Sequence, residues 1–129
     1  MKLLLTITAL VEAAGGVALL AVPALSATIL LGAPLDTQIG LTVGRVAGAA
    51  LVTLGIACWR ARGDDSCRAA TGIVAAMLFY NTAVAAILAW AGLSEGLVGL
   101  LLWPAVILHA VLAGWCLACL LPIAHRPAA

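Results

Sequence analysis

The sequence predicts an all-α integral membrane protein, a four-helix bundle with both termini cytoplasmic, on three observations. Of its 129 residues, 66% are hydrophobic and 9% are charged, whereas soluble domains are about 45–50% apolar and about 25% charged. Four apolar stretches are long enough to cross a bilayer, and most Lys and Arg residues lie at one side of them. This composition, with a mean hydropathy of +1.26, excludes a water-soluble enzyme, a disordered chain and a nucleic-acid-binding protein.

The four apolar stretches are residues 3–22, 39–59, 69–91 and 97–121. Each reaches the roughly 20 residues that a membrane-spanning helix requires. The acidic Glu12 in the middle of the first stretch is unusual for a cleavable signal peptide, so we interpret this stretch as a retained span. We therefore expect a single transmembrane domain over residues 1–129.

Prolines interrupt the apolar pattern at three places. The connection between the first two spans is itself apolar but lies between Pro23 and Pro34, and a helix does not continue easily through either position. We expect this segment to bend into the membrane interface. In the fourth span, Pro104 removes the hydrogen bond to the carbonyl of Leu100, so we expect a kink in the helix above His109.

The orientation follows from Lys and Arg residues, because cytoplasmic loops retain them. The first and third connections contain no Lys or Arg. The other side of the predicted bundle carries Lys2, Arg60, Arg62, Arg68 and Arg126. Both termini are therefore expected inside. The Ala-, Gly-, Leu- and Arg-rich composition is typical of a GC-rich bacterial genome, so we expect a multi-pass protein of the bacterial cytoplasmic (inner) membrane.

Each predicted span carries a polar residue at a similar depth. At about 1.5 Å per helical residue, Glu12, Asn81 and His109 lie about 15 Å below the outer surface, and Arg45 lies about 9 Å below it. A charge on a lipid-facing helix costs on the order of 2.5–3.5 kcal/mol at the bilayer centre, so these side chains should face one another. We expect an ion pair between Glu12 and Arg45, with hydrogen bonds from the other two.

The same layer of four side chains predicts a candidate ligand site. We expect Tyr80 and Trp103 to frame a cavity around it, in which Glu12 or His109 moves a proton or binds a polar head group. The alternative is purely structural, because hydrogen bonds between helices contribute about 0.6 kcal/mol each and fix the register of a bundle. The sequence leaves both interpretations open.

Small residues recur along the first two spans at spacings that favour close helix packing. The first span carries two adjacent glycines and the second carries four, which are Gly15, Gly16, Gly40, Gly44, Gly48 and Gly55. Glycines at positions i and i+4 let two helix backbones approach closely. We expect a packing face within one protomer, with a homo-oligomer seam as the alternative.

The four cysteines are all expected at the cytoplasmic side, where stable disulfides do not persist. They are Cys58, Cys67, Cys116 and Cys119. The four together are a candidate thiol site, in which Cys116 and Cys119 share a helix face and, with Cys67, Asp64 and Asp65, could bind a thiophilic metal or carry out thiol exchange. Cysteine also behaves as a small apolar residue in membrane helices, so we predict that these thiols bind no metal. No cofactor is evident from the sequence, although a quinone or a lipid is possible.

Several short motifs follow one another along the first two spans. Glu12 precedes Gly15 and Gly16, and the second span contains Gly44-Arg45-x-x-Gly48-Ala49 and Gly55-x-x-Cys58-Trp59. Over most of its length the chain resembles the small bacterial four-helix membrane proteins of the DoxX-like superfamily, including its families of unknown function. The resemblance implies a four-helix bundle and, for some members, a membrane partner of thiol or sulfur redox enzymes near the quinone pool. The resemblance also implies that Glu12 and Arg45 are core positions.

The leading functional interpretation is an accessory or binding component with an intramembrane polar pocket for a lipophilic molecule such as a quinone or a lipid. Three alternatives stay open. The chain is also compatible with a structural subunit of a larger membrane complex, a membrane enzyme that uses Glu12 or His109 as general acid or base, or a small transporter or metal-handling protein. Expected partners are membrane lipids and either a larger complex or a second copy. The net charge of +1 implies no polyanionic partner, so we expect no binding to nucleic acid.

Overall fold

The computed structural model describes residues 1–63 and 68–124, with side chains as far as residue 121. Within these residues the chain is helical and has five helices in order: α1 (Lys2–Ala21), α2 (Pro23–Leu31), α3 (Gln38–Ala61), α4 (Arg68–Leu93) and α5 (Leu102–Ala124). The helices α1, α3, α4 and α5 are long and apolar enough to cross a membrane. The predicted all-α class and the four candidate spans are confirmed.

The apolar connection after the first span forms a helix of its own, which the proline pattern did not predict. Pro23 stands at the first position of α2, where its missing N–H would have no intrahelical partner in any case. Gly32 ends α2 with a φ of 84°, a left-handed conformation that glycine adopts without strain. The Thr37 hydroxyl then accepts a hydrogen bond from the Gly40 amide at 3.0 Å and caps the start of α3.

The fourth span begins later than predicted. Residues 97–101 are not part of a helix and pass beside α2, where the Leu101 amide donates a hydrogen bond to the Ile29 carbonyl at 3.0 Å. Because α5 begins at Leu102, Pro104 lies in its first turn, where the missing N–H removes no bond from the helix interior. The predicted start at residue 97 and the predicted kink at Pro104 are therefore wrong.

The four long helices form two pairs, α1 with α3 and α4 with α5, and contacts are far more extensive within a pair than between pairs. In the antiparallel first pair, a Cβ atom on Gly16 would lie 2.7 Å from the Gly48 carbonyl oxygen, and one on Gly55 would lie 3.0 Å from the Ala9 carbonyl oxygen. Such close backbone contact requires glycine. We call the boundary between the two pairs the seam.

The other three glycines lie outside this closest contact. Gly44 is buried, but a Cβ atom there would meet the Leu35 and Pro23 side chains of the α2 region. Gly15 is exposed, and the nearest atom to a Cβ on it would belong to Leu51 at 4.0 Å. Gly40 lies against its own helix cap. The contact between α1 and α3 therefore depends on Gly16, Gly48 and Gly55 among the six.

Apolar side chains fill the seam toward one end of the bundle. They come from all four long helices and are Leu4, Leu5, Ala9, Cys58, Val74, Met77, Leu112 and Cys116. At that end the described residues include the basic side chains Lys2, Arg60, Arg62 and Arg68. We call it the basic end, and the opposite end, with α2, the α2 end. Arg126 lies outside the described residues.

Candidate functional site

Four polar side chains meet in the seam near the middle of α1 and α4. They are Glu12 from α1, Tyr80 and Asn81 from α4, and His109 from α5, and we call them the polar cluster. Their exposed fractions are 2% for Glu12, 0% for Asn81 and 9% for His109, and Tyr80 is half-buried. Glu12 lies about 15 Å from the start of α1. The cluster is thus at membrane depth if the four helices span a bilayer.

Among the described residues, the Glu12 carboxylate has one hydrogen-bond partner. The Tyr80 hydroxyl donates to Glu12 Oε2 at 3.0 Å, and this bond joins α1 to α4 across the seam. The other carboxylate oxygen, Oε1, is buried and has no hydrogen-bond partner in the described part of the chain. A buried polar atom without a partner is uncommon in folded proteins and calls for an explanation.

Asn81 and His109 form the second bond of the cluster and fix each other's orientation. The Asn81 amide nitrogen donates to the Met77 carbonyl at 2.8 Å, so its Oδ1 faces His109 Nδ1 at 2.7 Å. An amide oxygen can only accept, so Nδ1 carries the hydrogen. In the neutral imidazole, Nε2 is then an acceptor, and no hydrogen bond to it is formed within the described residues.

Tyr80 connects the two halves of the cluster. Its ring and the His109 ring are 5.8 Å apart between centroids and meet edge to face at 79°, a favourable aromatic geometry. Tyr80 and Asn81 are consecutive in α4, so their side chains diverge by about 100° around the helix. Tyr80 therefore reaches Glu12 on α1 while Asn81 reaches His109 on α5.

One polar residue beside the cluster was not singled out from the sequence. Thr8 lies one helical turn before Glu12 on the same face of α1, it is 0% exposed, and its hydroxyl has no hydrogen-bond partner among the described residues. A threonine in a membrane helix usually donates to the carbonyl four residues earlier, as Thr6 does to Lys2. The i, i+4 spacing from Glu12 was the signal that could have identified it.

Arg45 and Trp103 lie outside the cluster, contrary to the prediction. Arg45 is exposed on α3, and Glu12 has Tyr80 and not Arg45 as its partner. The contact between Gly16 and Gly48 in the antiparallel pair puts Glu12 level with about residue 52, so Arg45 is about 10 Å nearer the α2 end. Trp103 is 45% exposed in the first turn of α5, six residues before His109.

The described cysteines are not arranged as a metal site. Cys58 and Cys116 are buried in the apolar part of the seam and Cys119 is half-buried, and all three are free thiols. Among the residues that the structure describes, no group of three His, Cys, Asp or Glu side chains is placed to hold a metal ion. The other members of the hypothesised thiol or metal site, Asp64, Asp65 and Cys67, lie outside the described residues.

Two shallow surface grooves of the described residues lie away from the polar cluster. The first is a groove of about 330 Å³ near the α2 end of α4, lined by Ala86, Ile87, Trp90, Ala91 and Glu95. The second lies at the start of α3. Because Glu12 and Asn81 are almost fully buried, a ligand at the cluster would have to separate side chains of the seam.

No family model, curated protein or solved structure matches this chain. The resemblance to the DoxX-like superfamily stays a prediction from the motifs of the first two spans. The site itself has a definite chemistry, which consists of two hydrogen bonds between helices, one part-buried and one buried. Among the described residues, a carboxylate oxygen, an imidazole nitrogen and a threonine hydroxyl beside these bonds have no hydrogen-bond partner.

Proposed function

We propose that this chain is a small protein of the bacterial inner membrane, with both termini cytoplasmic, that binds the polar head of a lipophilic molecule such as a quinone or a lipid at the polar cluster. The observation that carries this proposal is that Oε1 of Glu12, a residue only 2% exposed, has no hydrogen-bond partner in the described part of the chain. Leaving a buried polar atom without a hydrogen bond costs about 1–3 kcal/mol. A bound head group would supply the missing bond.

The seam provides the route by which a lipophile reaches the cluster. Within the first pair, α1 and α3 touch through backbone at Gly16 and Gly48, so nothing can pass between them without separating the helices. Between the pairs the contacts are sparse and made by side chains, which can change rotamer. His109 and Tyr80 also retain some exposed surface. A lipophile would therefore enter laterally from the bilayer, through the seam.

The orientation and the accessory role rest on the sequence. Lys2, Arg60, Arg62 and Arg68 all belong to the basic end, and basic residues favour the cytoplasmic side. The motifs that resemble the DoxX-like superfamily favour a bacterial protein that acts beside a larger enzyme.

Native mass spectrometry of protein extracted gently from its own membrane tests the proposal. We expect the wild type to retain a defined lipophilic molecule, and Glu12→Leu to lose most of it while remaining folded. Phe79→Leu is the matched control, because Phe79 is 77% exposed next to Tyr80 in sequence and lies outside the cluster. A wild-type protein that retains no more lipophile than Glu12→Leu does would contradict the proposal.

A second candidate function is that of a structural subunit, and Arg45 favours it. Its guanidinium is exposed on α3 within a candidate span, and it forms no ion pair with another described residue. An acidic group of a neighbouring subunit would stabilise a charge at that depth. In the same mass spectrum this candidate predicts a stoichiometric polypeptide partner that Arg45→Gln loses.

A further inference from the structure

We infer that the ligand of the polar cluster presents a hydrogen-bond donor, a hydroxyl or phenol group, to Glu12 and His109. The inference rests on the proposed function and narrows it from any lipophile to one that carries such a group. A head group with carbonyl or ether oxygens alone would leave the buried Glu12 Oε1 without a hydrogen bond.

Each donor group of the polar cluster already makes a hydrogen bond. The Tyr80 hydroxyl donates to Glu12 Oε2, the Asn81 amide donates to the Met77 carbonyl, and the His109 Nδ1 hydrogen is directed at Asn81 Oδ1. None of these hydrogens is free for a ligand unless an existing bond breaks. A ligand that can only accept hydrogen bonds could not use these hydrogens without breaking the bonds that hold the cluster together, and it would leave Glu12 Oε1 without a partner.

When Glu12 is ionised, the vacant positions of the cluster are acceptors. Glu12 Oε1 is buried without a partner, and His109 Nε2 carries a lone pair because Nδ1 holds the ring hydrogen. Both side chains contact Tyr80, so the two acceptors flank the same residue. An O–H group donated to a carboxylate forms a short, charge-assisted hydrogen bond.

The unpartnered Thr8 hydroxyl favours a hydroxyl over other donors. Thr8 lies one turn from Glu12 on the same helix face, fully buried, and its hydroxyl both donates and accepts. A ligand hydroxyl has the same double capacity, so it can donate to Glu12 and accept from Thr8. Among redox lipids this chemistry selects the reduced, hydroxylated form over the oxidised form, whose ring oxygens only accept.

A matched pair of amphiphiles tests the inference directly. Para-dodecylphenol and para-dodecylanisole differ only in that the second carries a methyl group in place of the phenolic hydrogen. The full-length protein in lipid nanodiscs is exposed to each at the same mole fraction in the bilayer, and occupancy is read by native mass spectrometry. We expect the phenol to reach at least about tenfold higher apparent affinity than the anisole, in line with one buried hydrogen bond.

The variant Glu12→Gln sharpens the test. In this variant the amide oxygen can still accept the hydrogen bond from Tyr80. The amide nitrogen, which is a donor, then occupies the position of Glu12 Oε1. The preference for the phenol should fall at least about threefold, whereas Thr53→Ala, an exposed position on α3, should keep the wild-type preference. Equal binding of the two compounds to the wild type, or an unchanged preference in Glu12→Gln, overturns the inference but leaves the proposed function standing. Binding of neither compound overturns both.

Discussion

The Tyr80 hydroxyl on α4 donates a hydrogen bond to Glu12 Oε2 on α1 at 3.0 Å. This bond crosses the seam between two helix pairs that otherwise meet mainly through apolar side chains. It orients the carboxylate so that Oε2 is used and Oε1 is left vacant. The pair therefore both joins the two halves of the bundle and defines the chemistry of the candidate site.

Removing the Tyr80 hydroxyl should destabilise the bundle. Tyr80→Phe leaves Glu12 without its hydrogen bond, and such interhelical bonds contribute about 0.6 kcal/mol on average and up to about 1.7 kcal/mol. We expect a loss in that range in the free energy of unfolding, measured by titration with a denaturing detergent. Phe79→Leu, on the exposed face of the same helix, should change it by less than about 0.5 kcal/mol. Equal effects of the two substitutions would contradict the bond.

Glu12 and Arg45 should behave as independent sites. Because the register of α1 and α3 separates them along the bundle, the double variant Glu12→Gln with Arg45→Ala should equal the sum of the single variants within about 0.5 kcal/mol. The cycle Glu12→Gln with Tyr80→Phe should instead show coupling. If the coupling energy between Glu12 and Arg45 were larger than that between Glu12 and Tyr80, the ion pair expected from the sequence would be supported instead.

Adding one methyl group at the closest helix contact should be strongly destabilising. A Cβ atom on Gly48 would lie 2.7 Å from the Gly16 carbonyl oxygen, whereas one on Gly72 would meet nothing within 4 Å. Gly48→Ala should therefore lower the free energy of unfolding by about 1–3 kcal/mol. Gly72→Ala, the matched control in α4, should leave it unchanged or raise it by up to about 1 kcal/mol. If Gly48→Ala were as stable as Gly72→Ala, the close approach of α1 and α3 would be wrong.

The described cysteines should differ in reactivity according to burial. In a Cys67→Ser background, a membrane-permeant maleimide should modify Cys119 first, because Cys58 and Cys116 are fully buried while Cys119 is half-buried. Intact-protein mass spectrometry should find one adduct on the folded protein and three after unfolding in strong detergent. The further change Cys119→Ser should abolish the first adduct. Early modification of Cys58 or Cys116 would show that the seam is open at the basic end.

Much of the fold was predictable because the apolar pattern is so strong. Roughly 20 apolar residues in a row have few alternatives to a membrane-spanning helix, and in that background Glu12, Asn81 and His109 stand out as buried polar positions. The ends of the helices were less predictable. Residues 97–101 are as apolar as a helix interior, yet Leu101 pairs with the carbonyl of Ile29, a long-range bond that no local pattern signals.

Which residues belong to the polar cluster depends on the register between the helices. The depth of each residue in its span does not determine that register. Counting residues from the ends of the spans placed Arg45 within reach of Glu12. The glycine contact between Gly16 and Gly48 fixes the actual register and separates the two. Tyr80 was expected to frame the site, and it instead donates the bond that organises it, because its position beside Asn81 turns it toward α1.

Photoaffinity labelling tests the central claim, that the polar cluster is the ligand site, most directly. A para-alkylphenol with a diazirine beside its ring would be activated in nanodiscs, and the labelled positions would be mapped by peptide mass spectrometry. The account predicts adducts on residues within one turn of Glu12, Tyr80 and His109, reduced by excess unlabelled phenol and by Glu12→Leu. Adducts confined to the outer groove at Trp90 and Glu95, and insensitive to Glu12→Leu, would contradict it.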